Sequence, residues 1–150
     1  MQHKTVMQLY NMLGDLTYVA DSTVDLRDQV RQRSTQAGKD RKLKAQLDNL
    51  AKQLDDFHST LVSVKEGGMI TGEHKLRENL GELYGGVNGF EGKPTQSQLE
   101  RADFLKKQLD DATAKFKQLS DVTKLNADLA KAKLDPVKPI SKDDWNKTRQ

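Results

Sequence analysis

Residues 40–65 read DRKLKAQLDNLAKQLDDFHSTLVSVK, and the apolar side chains Leu43, Leu47, Leu50, Leu54, Phe57, Leu61 and Val64 recur at alternating spacings of four and three. At 3.6 residues per turn such positions fall on one helix face, while Lys, Gln, Asp and Asn occupy the other. The spacing predicts an amphipathic helix from about Asp40 to Lys65. Glu66-Gly67-Gly68 follows at once, and a glycine just past the last periodic position can take the left-handed conformation that closes a helix.

Upstream, Val6, Leu9, Leu13, Leu16 and Ala20 repeat the pattern, with a less regular continuation through Val24, Leu26 and Val30. One helix from about His3 to Gln36 is expected. Gly14 inside it costs roughly 1 kcal/mol relative to Ala, so a close approach of another backbone is a reason to find it there. Ala37-Gly38-Lys39 supplies a turn short enough to make the two helices antiparallel neighbours.

Downstream, Thr95 and Gln98 have the spacing of a capping box after Pro94. Leu99, Ala102, Leu105, Leu109, Ala112, Phe116, Leu119, Val122, Leu125 and Leu129 continue as a third seam to about Lys133, with a run of threes from Leu119 to Leu125 that shifts its face. Helices of this length span on the order of 50 Å, so an elongated domain is expected. Between the second and last long helices, Glu66 to Pro94 holds eight of the ten glycines. Thr71 can cap a short helix there, from about Gly72 to Tyr84 with Leu76, Leu80 and Leu83, and Gly85 to Gly92 reads as a loop. Asp135 to Ile140 is too proline-rich for a helix and should be extended. Ser141 to Gln150 suits a short final turn or a frayed end, with Trp145 either packed on the bundle or exposed.

Composition agrees with an all-helical reading. The chain has 150 residues, 35% hydrophobic, 5% aromatic and 31% charged, and lacks the β-branched and aromatic runs of a sandwich or barrel. No apolar run approaches the roughly 20 residues of a transmembrane helix. The opening MQHKTVMQLYNML lacks the pattern of a signal peptide and reads as a helix start, compatible with a cut inside a longer protein. The absence of cysteine removes disulfides, thiolate metal sites and cysteine nucleophiles, and suits any compartment.

Chemistry is sparse. Metal sites in helical bundles use inward Glu and Glu-x-x-His pairs, and only Asp55-x-x-His58 has that spacing, on the flank of Phe57. His3 and His74 lack partners at ligand spacing. Neither glycine loop carries a phosphate-loop pattern or follows a strand. Glu66, Glu73 and Glu91 could supply a carboxylate pair for glycoside hydrolysis, but nothing in the sequence sets their separation. Arg27 to Lys52 contains eight cations and three aspartates around the first interhelical turn. Without interleaved aromatics that is better read as a solvated end of the bundle than as a nucleic-acid surface. The seams themselves suit an intramolecular core or a coiled coil with another chain, and the short turns favour the former.

One stretch carries a likeness. Lys65-Glu66-Gly67-Gly68-Met69-Ile70-Thr71-Gly72-Glu73, then Leu83-Tyr84-Gly85-Gly86-Val87-Asn88-Gly89-Phe90-Glu91-Gly92-Lys93-Pro94-Thr95 and Gln98-Leu99-Glu100-Arg101, resembles the C-terminal helical region of bacterial sortilin-like, BNR/Asp-box repeat proteins commonly labelled glycosyl hydrolases. Tyr18-Val19-Ala20-Asp21 and Leu26-Arg27-Asp28-Gln29 fit the same region, so the resemblance covers about residues 5 to 140. It implies an accessory domain of an exported bacterial protein, periplasmic or outer-membrane associated. The β-propeller of that protein would carry any glycosidase chemistry. The residues after Ile140 depart from the family pattern, and the hydrolase label is itself a fold-level analogy.

The expectation is therefore an all-α fold: an elongated antiparallel bundle of three long helices with one short inserted helix, over residues 1–140, followed by a tail at 141–150. The expected role is a non-catalytic accessory or interaction domain, with no catalytic, cofactor or metal residues of its own. Its expected partner is the parent's β-propeller or another protein. Oligomerisation through an exposed seam, or completion of the propeller's glycosidase or ligand site, are the alternatives. A docking loop would use Tyr84 and Phe90 as apolar anchors and Glu91 as a polar contact. The competing reading has Tyr84 and Phe90 capping the bundle's own core.

Overall fold

A computed structural model describes residues 2–63, 75–89 and 92–148. Among the described residues the protein is entirely helix and connecting chain, an all-α bundle. The helices are α1 (Gln2–Ala37), α2 (Arg41–Leu61), α3 (Leu76–Asn88), α4 (Gln96–Leu119), α5 (Thr123–Lys131) and α6 (Lys142–Thr148). The chain divides into two compact units, the first made of Met1–Val19 and Ser59–Ala114, the second of Ala20–His58 and Lys115–Gln150. Helices α1, α2 and α4 contribute residues to both.

The buried stripe of α1 differs in detail from the expected seam. Thr5, Leu9, Met12, Leu16, Val19, Thr23, Leu26, Val30 and Ser34 are all buried, at spacings that keep one face inward for the whole helix. The irregularity in the sequence arises because Thr23 and Ser34 occupy core positions. Val6, Leu13 and Val24 are only half-buried, on the flanks of this stripe. Gly14 has no close backbone neighbour, contrary to expectation, since a Cβ built there meets nothing within 4 Å.

In the second unit, Gly38 at φ +56° closes α1. The Asp40 carboxylate then accepts the Leu43 N–H at 3.1 Å, capping α2. Ser34 donates to Asp48, and Arg27 donates to Asp55 at 2.7 Å. As one partner moves toward the turn so does the other, which is the antiparallel order the short connection requires. Leu43, Leu47, Leu54 and Phe57 are buried as their spacing predicts, while Leu50 is half-buried and Ala51 shares its place. The Phe57 and Phe116 rings stack with centroids 6.5 Å apart.

The last long helix is interrupted. α4 stops at Leu119 and α5 begins at Thr123. In an unbroken helix the threefold spacing of Leu119, Val122 and Leu125 would rotate successive side chains by about 60° out of the core; the break resets the register, and all three are buried. Asp121 assists by accepting the Thr123 hydroxyl at 2.9 Å, a local bond that competes with the helix ladder. The α5 helix closes with Leu134 N–H on the Leu129 carbonyl and Lys133 N–H on the Ala130 carbonyl, a Schellman arrangement with Lys133 at φ 62°.

Residues 134–140 run extended along the second unit, as the prolines require. Asn126 donates to the Val137 carbonyl and accepts its N–H, at 3.0 and 2.8 Å. Gln29 makes the same pair of bonds to Lys138, both at 2.8 Å. Each side-chain amide mimics a strand neighbour, so the chain's polar groups are satisfied without a sheet. Beyond them α6 buries Trp145, whose indole N–H donates to Asp21 at 3.0 Å.

In the first unit α2 ends earlier than Lys65. Val62 is buried outside the helix, and the Ser63 N–H goes to the Glu78 carboxylate at 2.9 Å. The same oxygen accepts the Lys75 N–H at 3.2 Å, so one side chain fixes the start of α3 to the end of α2. The α3 helix runs past the expected Tyr84 to Asn88, with Gly85 and Gly86 inside it. Burying Val87 in line with Leu76, Leu80 and Leu83 contributes about 2 kcal/mol, comparable to the roughly 1 kcal/mol cost of each helical glycine. The helix also starts later than the expected Gly72, because Lys75 is extended at φ −89° and ψ −178° and serves as the N-cap; Gly72 and Thr71 themselves lie outside the described residues. At α4 the predicted capping box is present: Gln98 N–H donates to the Thr95 hydroxyl at 3.1 Å and Thr95 N–H to the Gln98 side chain at 2.9 Å. Ala102, Leu105 and Leu109 carry the α4 core, while Leu99, expected in the seam, is 39% exposed.

Candidate functional site

Tyr84, the one docking residue of the three that falls among the described residues, lies on α3 and not in a loop. It follows buried Leu83, one step off the stripe formed by Leu76, Leu80 and Val87, and is therefore half-exposed. Its ring meets Tyr10 of α1, with centroids 6.4 Å apart and planes inclined at 46°. Tyr10 is itself 59% exposed, and Met7 on the same side of α1 is 42% exposed. Half-buried Val6 and Leu13 lie one turn either side of Tyr10. The rotation of the α1 stripe onto Met12 and Val19 is what turns Val6 and Leu13 toward this flank. Phe90 and Glu91 lie outside the described residues, as do Glu66, Glu73 and His74.

Tyr10 was not legible as a surface residue, because an aromatic between Leu9 and Met12 reads as core. The signal was available in the spacing. Leu9, Met12 and Leu16 make a complete stripe, and Tyr10 stands about 100° from Leu9, on the side away from Met12. Among the described residues the exposed large apolar side chains are Met7, Tyr10, Leu99 and Phe104, and every one belongs to the first unit.

The polar candidates resolve into structural contacts. Asp55 of the Asp55-x-x-His58 pair is held by Arg27 at 2.7 Å and by Arg31. A carboxylate enclosed by two guanidiniums is already neutralised and has little to offer a cation. Among the described residues no three His, Cys, Asp or Glu side chains gather as a metal site. The bond to Asp55 raises the Arg27 pKa above the ordinary guanidinium value, against desolvation, with Asp28 adding to the rise. An upward shift keeps Arg27 charged throughout the neutral range, so this contact is constant there on the arginine side. Lys52 is likewise shifted up by Asp56, its i+4 neighbour at 2.9 Å.

The basic segment from Arg27 to Lys52 is thus divided. Arg33 donates to the Asp135 and Pro136 carbonyls at 2.8 and 3.3 Å, and Lys44 lies 3.7 Å from Asp48. Lys39, Arg41 and Lys42, at the turn, make no ion pair among the described residues. No described helix is long and apolar enough to cross a membrane. No protein-family model, curated protein or solved structure matches this chain.

Proposed function

We propose that this chain is a non-catalytic interaction module that docks on another protein through the Tyr10–Tyr84 face of its first unit. The observation that carries the reading is the paired tyrosines, one 59% exposed and the other half-exposed, flanked by Met7, Val6 and Leu13, in a unit that also exposes Leu99 and Phe104. Large amphipathic rings held at a fixed separation provide contact area with little loss of side-chain freedom on binding, and aromatic anchors dominate protein interfaces. The occupant proposed is the β-propeller of a longer exported bacterial protein, on the strength of the sequence resemblance around Tyr84.

The test uses Tyr10→Glu and Tyr84→Glu, singly and together, with the propeller of a bacterial protein carrying both domains as the binding partner. Far-UV circular dichroism should show unchanged helicity, and binding should weaken at least about tenfold for a central aromatic contact. Loss of helicity in Tyr84→Glu would instead assign Tyr84 to the core, and full-strength binding by the folded double variant would overturn the reading.

A further inference from the structure

Residues 31–48 and 124–133, which meet in the second unit at the Gln46–Asp128 hydrogen bond, carry nine cations and three aspartates between them. That excess of six exceeds the net charge of +3 for the whole chain, so the remainder is acidic, although Arg31 is paired with Asp55 outside these segments. Lys39, Arg41, Lys42, Lys124, Lys131 and Lys133 have no ion-pair partner among the described residues. Like charges held close without partners are unfavourable for the folded state, and a bound anion relieves that.

The gathering has a shape. A cleft of about 530 Å³ lies between the first turns of α2 and the α5 helix, with Lys42 on one wall and Lys124 and Lys131 on the other. Asp40 and Asp128 also line it, so its wall carries three cations against two carboxylates; Asp40 caps α2 by accepting the Leu43 N–H, and Asp128 accepts the Gln46 amide at 3.3 Å. The lysine ammoniums keep their donors available. Two residues past Lys131, Lys133 adopts the left-handed conformation usually left to glycine, adding a cation at a backbone position that disfavours it.

We infer that this cleft binds a small multivalent phosphate. Lysines are point-charge donors suited to phosphate oxygens approached from several directions. Among the described residues the exposed large apolar side chains all lie in the other unit, so the described part of this surface has neither rings for stacking nucleobases nor anchors for entering a bilayer. A compact group carrying two or three phosphates suits the cleft's size, and the cations Lys39, Arg41 and Lys133 that flank its lining in sequence, better than a long polyanion does. The source is a soluble polyphosphate or a phosphomonoester headgroup.

The probe is inorganic tripolyphosphate, titrated calorimetrically into the full chain at low salt. Saturable binding is expected, weakened at least about tenfold in the triple variant Lys42→Gln, Lys124→Gln, Lys131→Gln and unchanged in Lys93→Gln, Lys107→Gln in the first unit. Affinity should fall as salt rises, because the groups are exposed. Flotation with vesicles containing phosphatidic acid separates the sources: co-flotation lost in the triple variant assigns a headgroup, and its absence beside tripolyphosphate binding assigns a soluble ligand. Absence of saturable binding to both probes, or equal binding by a folded triple variant, overturns the inference. So does retention of duplex DNA alone, which would make the surface a tract for a long polyanion.

Discussion

Ser22 is completely buried in α1, and its hydroxyl has no hydrogen-bond partner among the described residues. An unsatisfied buried hydroxyl keeps its desolvation penalty and returns nothing. Ser22→Ala should therefore stabilise the protein by about 1 kcal/mol, with better helix propensity adding to the gain. Urea denaturation followed by circular dichroism measures this, and a loss of stability would mean that the hydroxyl has a partner after all. At Lys133 the sign is the same for a different reason. Its φ of 62° in the Schellman turn suits glycine, so Lys133→Gly should gain roughly 1 kcal/mol in the same assay. Trp145 runs the other way: it is 6% exposed and bonded to Asp21, and Trp145→Ala should cost about 3 kcal/mol or more. The sequence could place Trp145 on the bundle or in solvent with equal justice, because its partner is 124 residues away.

At the scale of elements, the α1, α2 and α4 seams were legible because apolar spacing and turn chemistry agree there. Three features were not. The second half of α1 looked irregular because Thr23 and Ser34 hold core positions, and polar residues break a pattern that counts only apolar ones. The interruption at Ser120–Val122 was visible as a run of threes, but a curve and a break are equally compatible with that run until the burial of Val122 decides. The extension of α3 through Gly85 and Gly86 depends on Val87 finding a core, which is a tertiary effect outweighing local propensity. Gly14 completes the set. With open space where a Cβ would go, Gly14→Ala should stabilise α1 by roughly 0.5–1 kcal/mol, read as a higher denaturation midpoint. A destabilised variant would restore the idea of a close neighbour.

At the scale of the molecule, the two units differ in what they present. Among the described residues, exposed aromatic and large aliphatic side chains belong to the first, and the cations without ion pairs around the α2–α5 cleft belong to the second. Of the candidate site, the sequence pointed to Tyr84 through the resemblance of its surroundings, and missed Tyr10 because its exposure depends on which of two flanking stripes α1 buries. It also showed the basic segment from Arg27 to Lys52 but not its completion by Lys124, Lys131 and Lys133, which are distant in the chain. On the proposed reading, the apolar stripes close on one another within each unit and the Tyr10–Tyr84 face docks on a different protein.

Light scattering across a concentration series, with circular dichroism on the same samples, tests that claim most directly. The account predicts a helical monomer near 16.9 kDa at every concentration. A stable dimer that Tyr10→Glu converts to monomer would contradict it, since the face would then be occupied by a second copy and the module would be one of self-assembly.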